Sequence, residues 1–168
     1  MGARRGAAAE FLARRCPGVA VLHDRRMPRS RANIDHLTVT QSGVYMVDTK
    51  RYHGTVEVRR PLFGVTQLRI AGSDRTKLIE GLARQVDAAR ALVGEVAPGV
   101  PVHGCLCFVA PEGFLTDGGV PLLRTLAIGS YQLFYPRRLA KRLNAPGPLA
   151  AERIDQLLKH LAQRPPAA

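Results

Sequence analysis

Two aspartates and a lysine lie in neighbouring segments that have the pattern of a β-hairpin. Residues 33–41 and 44–50 are rich in Val, Thr, Ile and Tyr, and Ser42-Gly43 separates them. If Ser42 and Gly43 form the loop, Asp35 lies opposite Lys50. Because side chains alternate between the two faces of a strand, one face is apolar near the turn and charged at its far end. The residues predicted to share it are Asp35, Leu37, Val39, Val44, Met46, Asp48 and Lys50.

Such a face could support magnesium chemistry on a phosphodiester. Two carboxylates on adjacent strands can supply the protein ligands of Mg²⁺, which prefers oxygen and keeps several waters. A bound metal lowers the pKa of its water, and a nearby lysine can orient the nucleophile or stabilise developing charge. The alternative is that Asp48 and Lys50 form a surface ion pair, which needs no function to persist. Spacing alone favours that alternative.

The residues around the hairpin resemble the nuclease-related domain (NERD) family. The resemblance covers roughly residues 2–143, and its most specific parts are Arg31-Ala32-Asn33-Ile34-Asp35-His36-Leu37 and the segment from Ser42 to Gly54. The family is related to the PD-(D/E)XK nucleases, which cleave nucleic acid with magnesium. The resemblance implies that Asp35 and Asp48 hold Mg²⁺, with Mn²⁺ as a possible substitute, and that Lys50 is catalytic. It also implies an α/β fold with a restriction-endonuclease-like core, in which helices flank a central mixed β-sheet.

Two further catalytic candidates lie on predicted helices. The family's Gly-Glu pair in the first helix appears here as Gly6-Ala7, and Glu10 follows one turn later. A helical turn advances the chain by about 5.4 Å, so we expect Glu10 to matter less than the hairpin acids. Gln85 adjoins the apolar stripe of a helix predicted over residues 75–93, where nuclease relatives often carry a polar residue facing the site. The alternative for Gln85 is an ordinary surface position.

The chain is strongly basic. It has 25 Lys and Arg against 13 Asp and Glu, a formal charge of +12 over 168 residues. This excess favours a polyanionic partner, and we expect nucleic acid, with DNA ahead of RNA. The expected nucleic-acid contacts are Arg29, Arg31, Arg51 and Lys77; the alternative is a solvated charge run.

These observations support three functional hypotheses. The first is metal-dependent phosphodiester hydrolysis. The second is a nucleic-acid-binding module that keeps the nuclease fold but cleaves little or not at all. The third is a domain whose basic surface binds an acidic protein. A homodimer is left open.

The chain length indicates one core domain, which we expect over residues 1–146, followed by a linker and helix over residues 147–168. No apolar run approaches the length of a membrane-spanning helix, and the start has no signal-peptide core, so we expect a cytoplasmic protein without membrane attachment. Cys16, Cys105 and Cys107 have no zinc-ligand spacing, which fits a reducing compartment. Cys105 and Cys107 are expected to be buried structural thiols. His36 alternates away from the acidic face, which predicts a structural or surface role.

Overall fold

The computed structural model describes residues 10, 12–17, 19–26, 33–109 and 126–163, without the side chains of residues 24–26 and 33–35. The strands are β1 (Ala20–Arg26), β2 (Asn33–Thr40), β3 (Gly43–Lys50), β4 (Val56–Arg59), β5 (Gln67–Ile70), β6 (Ser73–Asp74), β7 (Val102–Phe108), β8 (Leu126–Ile128) and β9 (Tyr131–Phe134). A helical turn at residues 12–15 precedes them. The later helices are α1 (Lys77–Gly94), α2 (Pro136–Leu143) and α3 (Ala151–Gln163).

Six strands form the central sheet in the order β1-β2-β3-β7-β9-β8, and β4, β5 and β6 form a smaller sheet. The pairs β3–β7 and β7–β9 are parallel, and the other pairs of the central sheet are antiparallel. A parallel pair needs a crossover connection, and the small sheet together with α1 supplies it between β3 and β7. The predicted α/β fold, with a central mixed β-sheet flanked by helices, is confirmed and is consistent with a nuclease-like fold.

The two faces of the central sheet bury different clusters. Val44 and Met46 of β3 pack with residues of α1, α3 and the small sheet in the larger cluster. Tyr45 and Val47 pack with the N-terminal helical turn and α2 in the smaller one. This alternation is what a strand covered on both faces requires. The predicted shared face is confirmed for its apolar members, because Leu37 and Val39 lie in the larger cluster too.

The hairpin forms, but its predicted register was wrong by two residues. Thr40 pairs with Gly43, so Gln41 and Ser42 make the turn. The Thr40 hydroxyl accepts a hydrogen bond from the Ser42 backbone N–H (3.2 Å), which stabilises this two-residue loop. Gly43 has φ of +133°, and a Cβ there would lie 2.6 Å from the carbonyl oxygen of Pro101. Glycine is therefore required by the approach of another segment, which the local sequence does not reveal.

This correction changes which charged residues are opposite each other. Shifting the register by two residues keeps every side chain on its face. Continuing the observed pairing by one residue from His36 and Val47 sets the backbone of Asp35 opposite Asp48, where Lys50 had been predicted. The two acidic positions are thus on adjacent strands at the same level.

The start of α1 also differs in detail from the prediction. The helix begins at Lys77, two residues after the predicted start at residue 75, and Thr76 is its N-cap residue. The Asp74 carboxylate accepts hydrogen bonds from the Thr76 backbone N–H (2.8 Å) and hydroxyl (2.6 Å). These bonds lower the pKa of Asp74.

The C-terminal part of the chain joins the same core. Leu157 and Leu161 of α3 are buried in the larger cluster. The Leu149 backbone N–H donates to the Gln41 carbonyl oxygen at 3.0 Å, which ties the segment before α3 to the hairpin turn. The boundary at residue 146 stays a prediction. Among the described helices, none combines the length and apolar character needed to cross a bilayer.

Candidate active site

Asp48 and Lys50 come together at the carboxyl end of β3. The Lys50 ammonium nitrogen lies 2.6 Å from Asp48 Oδ1. Asp48 is 6% exposed, an unusual environment for a carboxylate, whereas the Lys50 side chain is partly exposed. The surface-pair alternative therefore does not describe Asp48, because its charge lies largely out of water.

The central position of β3 accounts for this burial. On one side β3 pairs with β2, and on the other Asp48 pairs with Leu106 and Lys50 with Phe108 of β7. Leu106 and Phe108 are fully buried in the larger cluster. Apolar neighbours lower the local dielectric constant, so the attraction between carboxylate and ammonium is stronger here than at an open surface.

The acidic positions of the site suit a magnesium ion. The backbone of β2 carries Asp35 to the level of Asp48, although the Asp35 side chain lies outside the described part. Among the described residues, no three or more His, Cys, Asp and Glu side chains gather as a metal-binding group. Magnesium commonly takes only one or two carboxylates and keeps waters for its other positions. A pair of aspartates therefore fits Mg²⁺ better than a metal that requires an all-protein ligand cage.

Basic and aromatic residues from two other segments border this end of the sheet. Tyr52 lies two residues after the end of β3, and the Arg75 guanidinium lies 5.4 Å from the centre of its ring. This contact places the segment before α1 next to the segment that follows β3. Lys77 is exposed and lies two residues after Arg75. Exposed Arg51 lies between Lys50 and Tyr52. Arg51 and Lys77 were predicted from the sequence. Arg75 and Tyr52 were not, because their contact joins residues far apart in the chain.

The other predicted site residues are not part of this pair. Glu10 is exposed and forms an ion pair with Arg14 one turn later. Its helical turn packs through Leu12 and Cys16 on the face that carries Tyr45, opposite Asp48. Arg29 and Arg31 lie outside the described residues.

Gln85 is half-buried on α1, next to Val86, and its role stays a prediction. The Val86 side chain packs closely over Gly104 in the middle of β7. Gly104 pairs with Met46, so this part of α1 lies near the level two residues before Asp48. Gln85 therefore lies on the part of α1 that packs near the candidate site.

Cys105 and Cys107 are confirmed as buried free thiols, and Cys16 is a buried free thiol as well. Burial raises the pKa of Cys107 to about 12. Burial also raises the pKa of Cys105 well above its usual value, and the charges of Cys107 and Asp48 add to that effect. Both side chains pack on the face opposite Asp48. They remain protonated at neutral pH and do not provide a nucleophile.

The environment of His36 agrees with the predicted structural role. It is buried, and its Nδ1 lies 2.8 Å from Nδ1 of His23 on the neighbouring strand β1. The rings meet edge to face, with centres 5.0 Å apart. One ring must donate and the other accept, so this contact needs at least one neutral imidazole. The pairing follows from strand register and was not foreseen from the spacing of the histidines.

Comparison with known proteins supports one family. The model of the nuclease-related domain matches residues 3–109, which include the hairpin, α1 and β7. Searches of curated proteins and of solved structures found no match. The matched segment makes up more than half of the chain and contains both Asp48 and Lys50. The chain therefore belongs to the nuclease-related domain (NERD) family.

Proposed function

We propose that this protein is a metal-dependent nuclease that hydrolyses phosphodiester bonds, with DNA preferred to RNA. The observation that carries the proposal is the ion pair between buried Asp48 and Lys50 at the end of a central strand. Membership of a nuclease-related family gives this pair a chemical context.

In this proposal Asp35 and Asp48 hold Mg²⁺, or Mn²⁺ in its place. Both are hard oxygen donors on adjacent strands, and Asp48 is fixed by its place within the sheet. When bound there, the metal would supply a water of lowered pKa and offset charge on the phosphorus centre. The burial of Asp48 excludes bulk water from one side of the site, which strengthens binding of a cation.

Lys50 positions the attacking water or stabilises the negative charge that develops on the phosphate. Its ammonium is held by Asp48 at 2.6 Å and is partly open to solvent, so a substrate phosphate can approach it. Arg51 and Lys77 contact the nucleic-acid backbone on either side. Arginine can bind a phosphate through two parallel hydrogen bonds, which fixes its orientation.

A second candidate function is nucleic-acid binding without catalysis. It is favoured by the position of Glu10, which is exposed and paired with Arg14 away from Asp48. If cleavage requires a carboxylate from the first helix, Glu10 does not supply it from this position. The net charge of +12 would then serve binding alone.

A plasmid-cleavage assay separates the two functions. Supercoiled DNA is incubated with the protein and magnesium, manganese, calcium or a chelator, and binding to the same DNA is measured in parallel. The nuclease proposal expects nicking with magnesium or manganese and none with chelator. Binding without nicking under any of these conditions would make the non-catalytic module the better account. Binding that is absent even at low salt would contradict both.

A further inference from the structure

The loop between β4 and β5 exposes an apolar tip. Leu62 is 97% exposed, Phe63 is 93% exposed and Val65 is 74% exposed. They are the large hydrophobic residues most open to solvent in the described part of the chain. Single exposed apolar side chains are ordinary, but three within four residues at the end of one hairpin form a small projecting surface.

The tip is carried by a well-anchored hairpin. Four residue pairs join β4 to β5, from Val56 and Ile70 to Arg59 and Gln67. Val56, Leu68 and Ile70 are buried in the larger core cluster. The framework thus holds the tip outward without depending on the tip's own packing.

Arginines adjoin the apolar residues. Arg59 and Arg60 directly precede Pro61, and both are exposed. An Arg60 guanidinium nitrogen donates to the Ala127 carbonyl oxygen at 3.2 Å, which leaves its other nitrogens able to meet a phosphate. Over residues 56–70 the charged residues are Glu57, Arg59, Arg60 and Arg69, a net charge of +2. The charge at the base of the tip is therefore complementary to a polyanion.

The hairpin also begins at the same end of the sheet as the candidate active site. Residues 51–55 alone separate Lys50 from β4. Arg51 and Tyr52 lie on this connection, and Tyr52 contacts Arg75. A nucleic acid that follows the basic residues from Lys50 would meet the hairpin next.

We propose that the tip of the β4–β5 hairpin contacts nucleic-acid bases, with Phe63 stacked on a base and Leu62 beside it, while Arg59 and Arg60 hold the flanking phosphates. This inference rests on the proposed function, since it assigns a base-contacting element to the same substrate. Every base offers a flat apolar face, so an exposed aromatic ring can stack without reading sequence. Apolar side chains inserted between base steps are a recurrent way of gripping nucleic acid.

The test measures binding to a single-stranded DNA oligonucleotide and to the same oligonucleotide with a run of abasic sites, by fluorescence anisotropy with chelator present. Abasic sites remove bases and keep phosphates. Phe63→Ala should weaken binding to the intact strand by roughly 5- to 100-fold, the range expected for one lost base stack, and should leave abasic binding unchanged. Phe63→Tyr should retain the affinity, because its ring still stacks. Arg59→Ala should weaken binding to both strands equally. Because Phe63 is exposed, these losses would not come from unfolding.

Other results would overturn the inference. Equal loss on both oligonucleotides would mean that the tip meets only the backbone. Unchanged DNA binding, together with Phe63-dependent sedimentation with anionic phosphatidylglycerol vesicles, would assign the tip to a membrane surface. Unchanged DNA binding with a Phe63-dependent dimer in light scattering would assign it to a second copy of the chain. Unchanged binding with neither of these effects would also contradict it.

Plasmid cleavage keeps this inference distinguishable from the proposed function. If the wild type nicks DNA but Phe63→Ala binds both oligonucleotides normally, the base contact is wrong and the nuclease stands. If the wild type does not nick DNA yet Phe63→Ala weakens binding to the intact strand alone, the catalytic proposal fails and the base contact stands.

Discussion

The two ends of β3 both carry polar side chains, but they use them differently. At the turn end, the Tyr45 hydroxyl lies 3.0 Å from the Ser42 hydroxyl, which lies 3.1 Å from the Thr40 hydroxyl. The Tyr45 ring stacks on His103 with centres 4.8 Å apart, and the Arg142 guanidinium lies 5.9 Å from it. Burial, followed by the Arg142 charge, lowers the pKa of His103, which favours the neutral ring. These groups stabilise the hairpin.

At the carboxyl end, Asp48 and Lys50 form an ion pair within the sheet. Burying a carboxylate carries a desolvation cost, and buried ion pairs often add little to stability. Replacing a buried ion pair by well-packed apolar residues is often neutral or stabilising. Folding accounts for the polar residues at the turn end, whereas the buried ion pair at the carboxyl end is the place where we propose catalysis.

The largest expected effect is loss of cleavage in Asp48→Asn. The substitution replaces an anionic ligand by a neutral amide of similar size. Magnesium has few protein ligands, so the loss of one should strongly reduce its binding. We expect the cleavage rate to fall by more than about 10³-fold, beyond the loss typical of one transition-state hydrogen bond. Asp87→Asn is the matched control, because Asp87 is exposed on α1 and pairs with Arg90 at 3.2 Å. Both are measured by plasmid nicking, with thermal melts to verify folding. Equal rates in the two variants would contradict the assignment.

Lys50→Ala should lower the cleavage rate and spare metal binding. The ammonium acts on the phosphate or the water, so its loss should cost about 10²- to 10³-fold in rate. Calorimetric titration with manganese should give nearly the wild-type affinity. Lys159→Ala, at an exposed position of α3, serves as the control. Lost metal binding in Lys50→Ala would mean that the lysine organises the site rather than acting in it.

Arg51→Ala and Lys77→Ala should each weaken DNA binding moderately and reduce its salt dependence. Each phosphate contact contributes about −0.9 to the slope of log affinity against log salt on duplex DNA. We expect each variant to reduce the magnitude of the slope by roughly that amount, measured by anisotropy at several salt concentrations. Lys159→Ala should leave the slope unchanged. A wild-type affinity that does not vary with salt would remove the phosphate contacts from the account.

The smallest effect on activity should come from Tyr45→Phe at the turn end. It removes the hydrogen bond to Ser42 and should reduce the free energy of unfolding by about 1 kcal/mol, while cleavage stays within about twofold of wild type. Urea unfolding measures the first quantity and plasmid nicking the second. Ser42→Ala should reduce the free energy of unfolding by a similar amount. The double variant should lose less than the sum of the two single losses, because both substitutions remove the same Tyr45–Ser42 hydrogen bond. A large loss of cleavage in Tyr45→Phe would show that the turn end also serves catalysis.

Local pattern in the sequence predicted much of this arrangement. Alternation in β3 separated Met46 and Asp48 from Tyr45 and Val47, because a strand covered on both faces sorts its side chains by position alone. The apolar stripe of α1 was equally visible, since Leu82, Val86 and Val93 recur at helical spacing and are all buried.

What local pattern missed depends on distant contacts. At the hairpin turn, the Pro101 carbonyl oxygen approaches Gly43 and accepts a hydrogen bond from the Val44 backbone N–H, although Pro101 lies nearly sixty positions away. The contact of Arg75 with Tyr52 joins the segment before α1 to the segment after β3. Such pairs carry no periodic signal, so their members look like ordinary polar or aromatic residues until the chain is folded.

The most direct test of the central claim is a crystal structure of the protein soaked with manganese, analysed by anomalous scattering. If the carboxyl end of β3 is a catalytic site, an anomalous peak should lie at coordination distance from an Asp48 carboxylate oxygen, with Asp35 as its neighbour on β2. The same soak of Asp48→Asn should show no peak there. A wild-type crystal without manganese at this end, in which Asp48 still pairs with Lys50, would contradict the account.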